Sequence, residues 1–528
     1  MKKTQRLLII TIGSVFAIFG ALLIYLYRYR LSAFINEHLY GQYIMEELTI
    51  EEKLDDFDSF YATITTSVPF LDEVEELYGV DFTERKDYYI EKIQETENNF
   101  EFYCTMMAIC KDVPSFHTAV CFPDYWDLKG LSCYHSIETM SQIGMKAKID
   151  AWTKIMEKSI YEYRDVNLLD VSYVDGKYVV NKLLLPEMFE DLQGNELVEI
   201  DGISADRYIV ENISIYDLYY DSLHNKAYRY CYTFNDSVGK RVKVLWRDRE
   251  GNEKEEWLFL DYGAEVVSAY GYRFLEELAQ YEVSIPAITM YRDDVNQLEY
   301  VAVNNFINQD GKKLKKYLKD SPYNTVIIDL RYNYGGLISY PQDYLYPVLY
   351  QGDVKQNLNW IVPATEANEA MTKIWSVRLD FKHNKEGDYY HYSDVNTFRG
   401  AAKQDKNVYY LVGCETGSAA DMYISMIKEN HLGTVIGCNT GGEGLASSFI
   451  CDSLDNSSLV YVYYPSVAID SKTGEKIYGG TEPDYYINTT LEDFELRQEY
   501  RKDRTAFEYE NRLKYDTELK WVIENLIQ

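Results

Sequence analysis

Asp329-Leu330-Arg331-Tyr332-Asn333-Tyr334-Gly335-Gly336 follows directly on Thr325-Val326-Ile327-Ile328. Thr325 to Leu330 reads as a buried strand, and the glycine pair reads as the turn that ends the segment. Glycines after a buried strand let backbone N–H groups point into a cleft, where they can stabilise a tetrahedral oxyanion. Outward from this point, Val408 to Val412 and Leu459 to Tyr464 read as further strands. Short apolar strands alternate with helical stretches from about 280 to 500, the pattern of an α/β core.

Two more stretches in this core carry candidate chemistry. Cys414-Glu415-Thr416-Gly417-Ser418-Ala419-Ala420-Asp421-Met422 follows the 408–412 strand and opens a helical stretch, Ala419 to Glu429. A serine at such a helix start sits where the helix dipole favours negative charge, and the N–H of Ala419 is free to join an oxyanion hole. Serine is also a favoured N-cap, so a purely structural role is the competing reading. Gly437-Cys438-Asn439-Thr440-Gly441-Gly442-Glu443-Gly444-Leu445 is the second stretch, and Gly480-Thr481-Glu482-Pro483-Asp484 closes the series.

Together these pieces resemble the C-terminal-processing (tail-specific) and tricorn-like serine peptidases. Residues 329–336 match the family's "asp-leu-arg-x-asn-x-gly-gly" turn. Residues 414–422 resemble its nucleophile turn, and residues 480–484 its "gly-x-x-pro-asp" turn. The resemblance implies a crotonase/ClpP-like α/β peptidase core, with Ser418 as nucleophile and Gly335 or Gly336 with Ala419 as the oxyanion hole. It implies acyl-enzyme hydrolysis of extended peptides, with a peptide or protein as substrate and no cofactor. A catalytically silent surface scaffold that binds peptides on the same fold is the alternative.

The tail-specific branch carries a general-base lysine in the "gly-x-x-thr-x-gly-lys-gly" segment, where this chain has Glu443. A glutamate of ordinary pKa is poorly matched to deprotonating a serine at neutral pH. The Ser–Lys dyad is therefore absent, and the resemblance narrows to the tricorn-like branch. That branch takes its base from a histidine far upstream, after a helical region. His117, followed by Thr118, fits this place among the seven histidines. Imidazole suits the task near neutral pH. The branch places a serine directly before that histidine, whereas this chain has Phe116 there and Ser115 one step further back. A late acidic residue completes the relay in the branch, and Glu475 and Glu482 are the candidates.

The remainder of the 528 residues divides by pattern. Residues 166–265 shorten to period-two strands, with a hairpin turn at Asp248 to Asn252 in which Gly251 supplies positive φ. Within them, Gly194 to Ile203 resembles the "gly-asp-x-ile-x-x-ile-asn-gly" signature of PDZ domains, which implies capture of a peptide as an added strand. Residues 40–165 read as a helical domain, from apolar spacings of three and four in Glu46 to Tyr61, Leu71 to Tyr78 and Arg85 to Met107. Residues 280–500 are the peptidase core and 501–528 a charged surface helix. At the amino terminus, Lys2, Lys3 and Arg6 precede an unbroken apolar run from Leu7 to Tyr27. A helix of that length, about 31 Å, crosses a bilayer. It ends in aromatic residues rather than a small-residue cleavage site, so residues 1–34 read as an uncleaved single-pass anchor with the bulk of the chain outside the cell membrane. The whole is a mixed α/β, multidomain chain.

Composition bounds the partners. A net charge of −32 repels nucleic acid. Eight cysteines form no CxxC pair, so no metal site is expected. Four of them lie between 104 and 133, where a disulfide is possible in an oxidising space and free buried thiols are the alternative. The oligomeric state is not legible.

Overall fold

The computed structural model describes residues 46–110, 112–113, 118–121, 148–155, 167–183, 192, 194–212, 220–221, 224, 226–233, 241–259, 286–307, 310–369, 384–442, 450–470, 472–502 and 505–527. The apolar run 7–27 lies outside these residues. Among the described residues no helix is long and apolar enough to cross a membrane.

Four helices open the described chain: α1 (Ile50–Ser67), α2 (Leu71–Tyr78), α3 (Lys86–Gln94) and α4 (Asn99–Cys110). The first begins at Ile50 rather than Glu46 because Thr49 forms a capping box with Glu52. The stretch expected to run unbroken from Arg85 to Met107 is two helices. Lys53 is buried between them and donates from Nζ to Thr96 O, Thr96 Oγ1 and Asn98 O, satisfying carbonyls at the break. Strand β1 (Ala119–Cys121) follows, paired antiparallel with residues 460–462 of the distant core. The helices do not close on themselves. Phe57, Phe60, Ile64 and Met106 share one apolar cluster with Val362, Ile450, Tyr461 and Tyr463.

Residues 167–259 form an antiparallel sheet. Its main strands are β2 (Asn167–Val174), β3 (Lys177–Leu183), β4 (Glu196–Ile200), β5 (Arg229–Thr233), β6 (Arg241–Arg247) and β7 (Glu253–Phe259), with the two-residue strand Ile203–Ser204 also paired to β4 and helix α5 (Ala205–Asn212) against the sheet. Strand order is β7-β6-β4-β3-β2-β5. Asp201 and Gly202 both take positive φ, 51° and 78°, in the two-residue turn after β4. That turn stands where the PDZ-like signature has its closing "asn-gly". Gly251 has φ 87°, as its turn requires.

The third unit is a six-stranded sheet in the order β8 (Ile288–Asp293), β9 (Leu298–Val303), β10 (Thr325–Asp329), β13 (Asn407–Val412), β14 (Thr434–Gly437) and β17 (Tyr485–Tyr486). Only the β8–β9 pair is antiparallel. Helix α6 (Gly311–Lys319) lies between β9 and β10 in the chain. The hairpin of β11 (Val354–Pro363) and β12 (Tyr389–Phe398) lies between β10 and β13. Helix α7 (Ala419–Glu429) lies between β13 and β14, and β15 (Ile450–Ser453) and β16 (Val460–Tyr463) between β14 and β17. Both faces of the sheet are covered, which is why its strands read as continuous apolar runs. Val326, Ile328, Val408 and Tyr410 pack under α7. On the other face Leu298, Tyr300, Ile327, Leu411 and Ile436 pack against Tyr509, Leu519, Val522 and Ile523.

That second face overturns one expectation. The chain's end is no solvated surface helix. It comprises α8 (Leu491–Lys502), α9 (Tyr509–Tyr515) and α10 (Thr517–Val522), and the last two are a layer of the core. Their charges misled because several are buried partners rather than a wet face.

Candidate active site

Strand β10 ends at Asp329, and the turn after it is fixed from within. Asn333 is fully buried; its Nδ2 donates to Val303 O at 2.8 Å and its Oδ1 accepts from Gly335 N at 2.8 Å. Its carbonyl accepts from Gly417 N at 3.0 Å, so one asparagine joins this turn to the serine turn. Gly335 and Gly336 have φ 102° and 130°, and a Cβ on Gly335 would lie 2.7 Å from Gly417 O and from Ser418 Cβ. The motif needs glycine there for both conformation and space.

The serine turn follows β13. Thr416 is buried and donates from Oγ1 to Leu330 O at 2.8 Å, while its carbonyl accepts from Gly441 N at 2.9 Å. Ser418 N donates to Gly442 O at 2.9 Å. Ser418 itself has φ 52° and ψ −126°, a sparsely populated conformation for a side-chain-bearing residue, and precedes the first turn of α7. Its side chain makes no capping hydrogen bond, so the N-cap role that would explain the serine structurally is unused. It is half-buried, with Oγ unengaged by any described residue.

The two backbone donors proposed from sequence separate here. Gly335 N–H is committed to Asn333 Oδ1. Gly336 N–H and Ala419 N–H make no hydrogen bond with a described residue. The strand-end glycine pair therefore offers one free donor, at Gly336, and α7 offers the other.

Beneath this turn lies Asp421, buried on the first turn of α7. Its Oδ1 accepts from Thr440 Oγ1 at 2.5 Å, Thr481 Oγ1 at 2.7 Å and Thr481 N at 3.2 Å. One carboxylate thus ties together all three late motifs.

A second ionic centre holds the 329–336 turn from the opposite face of the sheet. Arg331 pairs with Asp329, Asp516 and Glu518, and Arg512 pairs with Asp329. Tyr300 donates to Asp329 Oδ2 at 2.6 Å. Burial opposes ionisation of Asp329, but Arg331, Arg512 and the Tyr300 hydroxyl outweigh it and hold the carboxyl well below the usual carboxylate range. Sequence reading missed this clamp. Its signal was present, since a motif arginine headed for the interior needs acidic partners.

His117 and Glu443 both lie outside the described residues. Glu475 and Glu482 are exposed, and the Glu482 carbonyl accepts from Lys428 Nζ at 2.6 Å. Neither has the buried setting of a relay acid. Among the described residues no histidine hydrogen-bonds Ser418. His224 instead has its Nδ1 2.9 Å from Asp221 Oδ2 and 3.2 Å from the Tyr486 hydroxyl. No group of His, Cys, Asp and Glu among the described residues could hold a metal ion.

A parallel sheet with a strained serine at the start of the following helix, faced by a double-glycine turn, defines a serine-peptidase core. Residues 297–487 match the model of peptidase family S41, and this stretch is an S41 serine-peptidase domain. No curated protein matches the sequence. The structure is also similar to that of mature CPAF complexed with lactacystin. The identity is 14%, covering 90% of this chain and 99% of that one, with a TM-score of 0.50. A second structure of mature CPAF gives 13%, 90% and 98%, with 0.51. Tricorn protease gives 12% identity over 90% of this chain and 37% of that one, with a TM-score of 0.34. The likeness to CPAF is one of fold.

Proposed function

We propose that the chain is a membrane-anchored serine endopeptidase of the tricorn-like type that hydrolyses extended peptides through an acyl-enzyme. The observation that carries this reading is Ser418: strained, unused as a cap, and flanked by the N–H groups of Gly336 and Ala419, which no described residue engages. In this mechanism Ser418 Oγ attacks the scissile carbonyl as His117 takes its proton. The developing oxyanion is met by Gly336 N–H and Ala419 N–H, donors that need no reorganisation. His117 then returns the proton to the leaving amine, and water repeats the sequence to release the acyl group.

Topology supports His117 as the base. Strand β1 starts two residues after it and lies antiparallel to β16, whose other neighbour is β15. The starts of β1 and β15, at Ala119 and Ile450, therefore lie at the same end of one small sheet. Ile450 is reached along the chain from Gly442, which holds the Ser418 N–H.

The sheet of residues 167–259, with its Asp201-Gly202 turn, supports a PDZ-like role in presenting a peptide end as an added strand. Residues 1–34 would hold the enzyme to the cell membrane with its bulk outside. A fluorophosphonate probe tests the central claim. The wild type should be labelled at Ser418 and the Ser418→Ala variant should not; a wild type that resists the probe while folded would leave only a peptide-binding scaffold.

A further inference from the structure

Two thiols lie in the loops that hold Ser418. Cys414 opens the turn that ends at the serine, and Cys438 opens the loop that ends at Gly442. They leave the ends of adjacent parallel strands, β13 and β14, which are in register with Val412 opposite Gly437. Their Sγ atoms are 3.6 Å apart, both residues are buried, and both are free thiols. Neighbouring strands stand about 4.8 Å apart, within the Cα separation that a disulfide spans. A bond of about 2.05 Å needs the sulfurs to close by roughly 1.5 Å. We propose that Cys414 and Cys438 are a redox site: a dithiol that closes to a disulfide and locks the nucleophile turn to the loop beside it. The effect on Ser418 rests on its being the nucleophile.

The chemistry needs a two-electron oxidant, and a low-molecular-weight disulfide supplies it. Cys438 keeps 9% of its surface against 5% for Cys414, so it meets the reagent first. Its thiolate attacks one reagent sulfur, giving a mixed disulfide and releasing one thiol. Cys414 then attacks the Cys438 sulfur and releases the second thiol. The protein loses two electrons and two protons; the reagent becomes two thiols. The hydrogen bond with Cys438 and burial hold the Cys414 thiol above its usual range, so closure is slow and each sulfur has the other as its ready partner.

The closure need not disturb the site. Residues 416–418 are pinned by the bonds of Thr416 Oγ1 to Leu330 O, Gly417 N to Asn333 O, and Ser418 N to Gly442 O. Cys414 lies before these pins and Cys438 lies on the facing loop, so rotation of the two cysteine side chains takes up the movement. The disulfide then acts as a brace across α7 and β14 rather than as an off-switch.

The test treats the full-length protein with oxidised glutathione, blocks remaining thiols with N-ethylmaleimide, and maps the unreduced digest by mass spectrometry. The expected result is one cross-linked peptide pair, Cys414 to Cys438, about 2 Da lighter than the sum of its reduced parts. The temperature at which fluorophosphonate labelling is lost should rise by roughly 5–10 °C and fall back with dithiothreitol. Cys414→Ala and Cys438→Ala, and Cys414→Ser if the first does not fold, should show no such redox-dependent rise. Two alkylated thiols after oxidation, a stable mixed disulfide, or a bond to another cysteine would overturn the redox site. A mapped Cys414–Cys438 bond with no thermal rise would overturn the brace. If the bond is mapped but the probe labels neither redox state, the redox site stands and the nucleophile assignment of Ser418 fails.

Discussion

Arg331 grips Asp516 with both terminal guanidinium nitrogens, Nη1 to Oδ1 at 2.8 Å and Nη2 to Oδ2 at 2.6 Å. Asp516 lies between α9 and α10, and Arg331 lies in the turn that also carries Gly335 and Gly336. The fork therefore couples the last helices to the candidate oxyanion turn across the sheet. Asp516→Ala should destabilise the protein by about 3–5 kcal/mol, because it leaves part of a buried guanidinium unpaired. Urea denaturation would show this as a lowered midpoint with an unchanged slope. Arg331→Lys should also weaken the fold, since an ammonium cannot reproduce the fork.

Acid should act through the same centre. In the folded chain Asp329 and Asp516 both titrate below their ordinary values. Burial raises each, but the adjoining Arg331 and Arg512 lower each by more. A carboxyl whose folded pKa lies below its unfolded one contributes stability above the unfolded pKa, near about 4, and loses it as pH falls toward the folded value. The melting temperature should therefore fall steadily below about pH 4. Asp329→Asn should start lower and show a flatter decline. An Asn variant whose acid slope matches the wild type would remove Asp329 from this account.

How far the fold could be read in advance depended on the kind of signal. The 325–329, 407–412 and 460–463 strands and the helix from Ala419 to Glu429 were legible because each carries a local periodic pattern bounded by turn residues. The glycine and serine turns were legible because their residues are short and local. Hidden from the sequence were relationships across long separations. Asp516 and Arg512 read as surface charges until Asp329 and Arg331 are seen beneath them. Asn333 gave no sign that it would take the Gly335 N–H and leave Gly336 as the free donor. Lys53 closing the α3–α4 break is invisible in a window of neighbours.

The glycine turn can be tested by a single methyl group. A Cβ on Gly335 would lie 2.7 Å from Gly417 O and Ser418 Cβ and 2.9 Å from Ala419 N, at φ 102°. Gly335→Ala must therefore push the serine turn away from its neighbour. Peptidase kcat/KM should fall by about 100-fold or more, the loss expected when an oxyanion donor is misplaced. Circular dichroism should remain near native, because Asn333 and Thr416 hold the turn bases. Full activity in a folded Gly335→Ala protein would detach the turn from catalysis.

The anchor is separable from the chemistry. Removing residues 1–34 deletes the apolar run Leu7 to Tyr27 and leaves every described residue in place. In alkaline carbonate extraction the full chain should stay with the membrane pellet and the truncated chain should move to the supernatant. A full chain that enters the supernatant would end the anchor reading, since a spanning helix does not leave with peripheral proteins.

Nucleophile and base give the strictest test of the catalytic assignment. Removing either Ser418 or His117 should reduce kcat by about 10³-fold or more, since each is useless without the other. The double variant Ser418→Ala with His117→Ala should then be scarcely worse than either alone. Independent residues behave differently, because their losses multiply. His117→Ala alone should also slow fluorophosphonate labelling while leaving Ser418 the residue labelled. A His117→Ala enzyme that labels at the wild-type rate would separate the imidazole from the serine. Its pH–rate profile sharpens the result: a wild-type acid limb that disappears in the variant belongs to imidazole, whereas a limb that persists would send the search to another base.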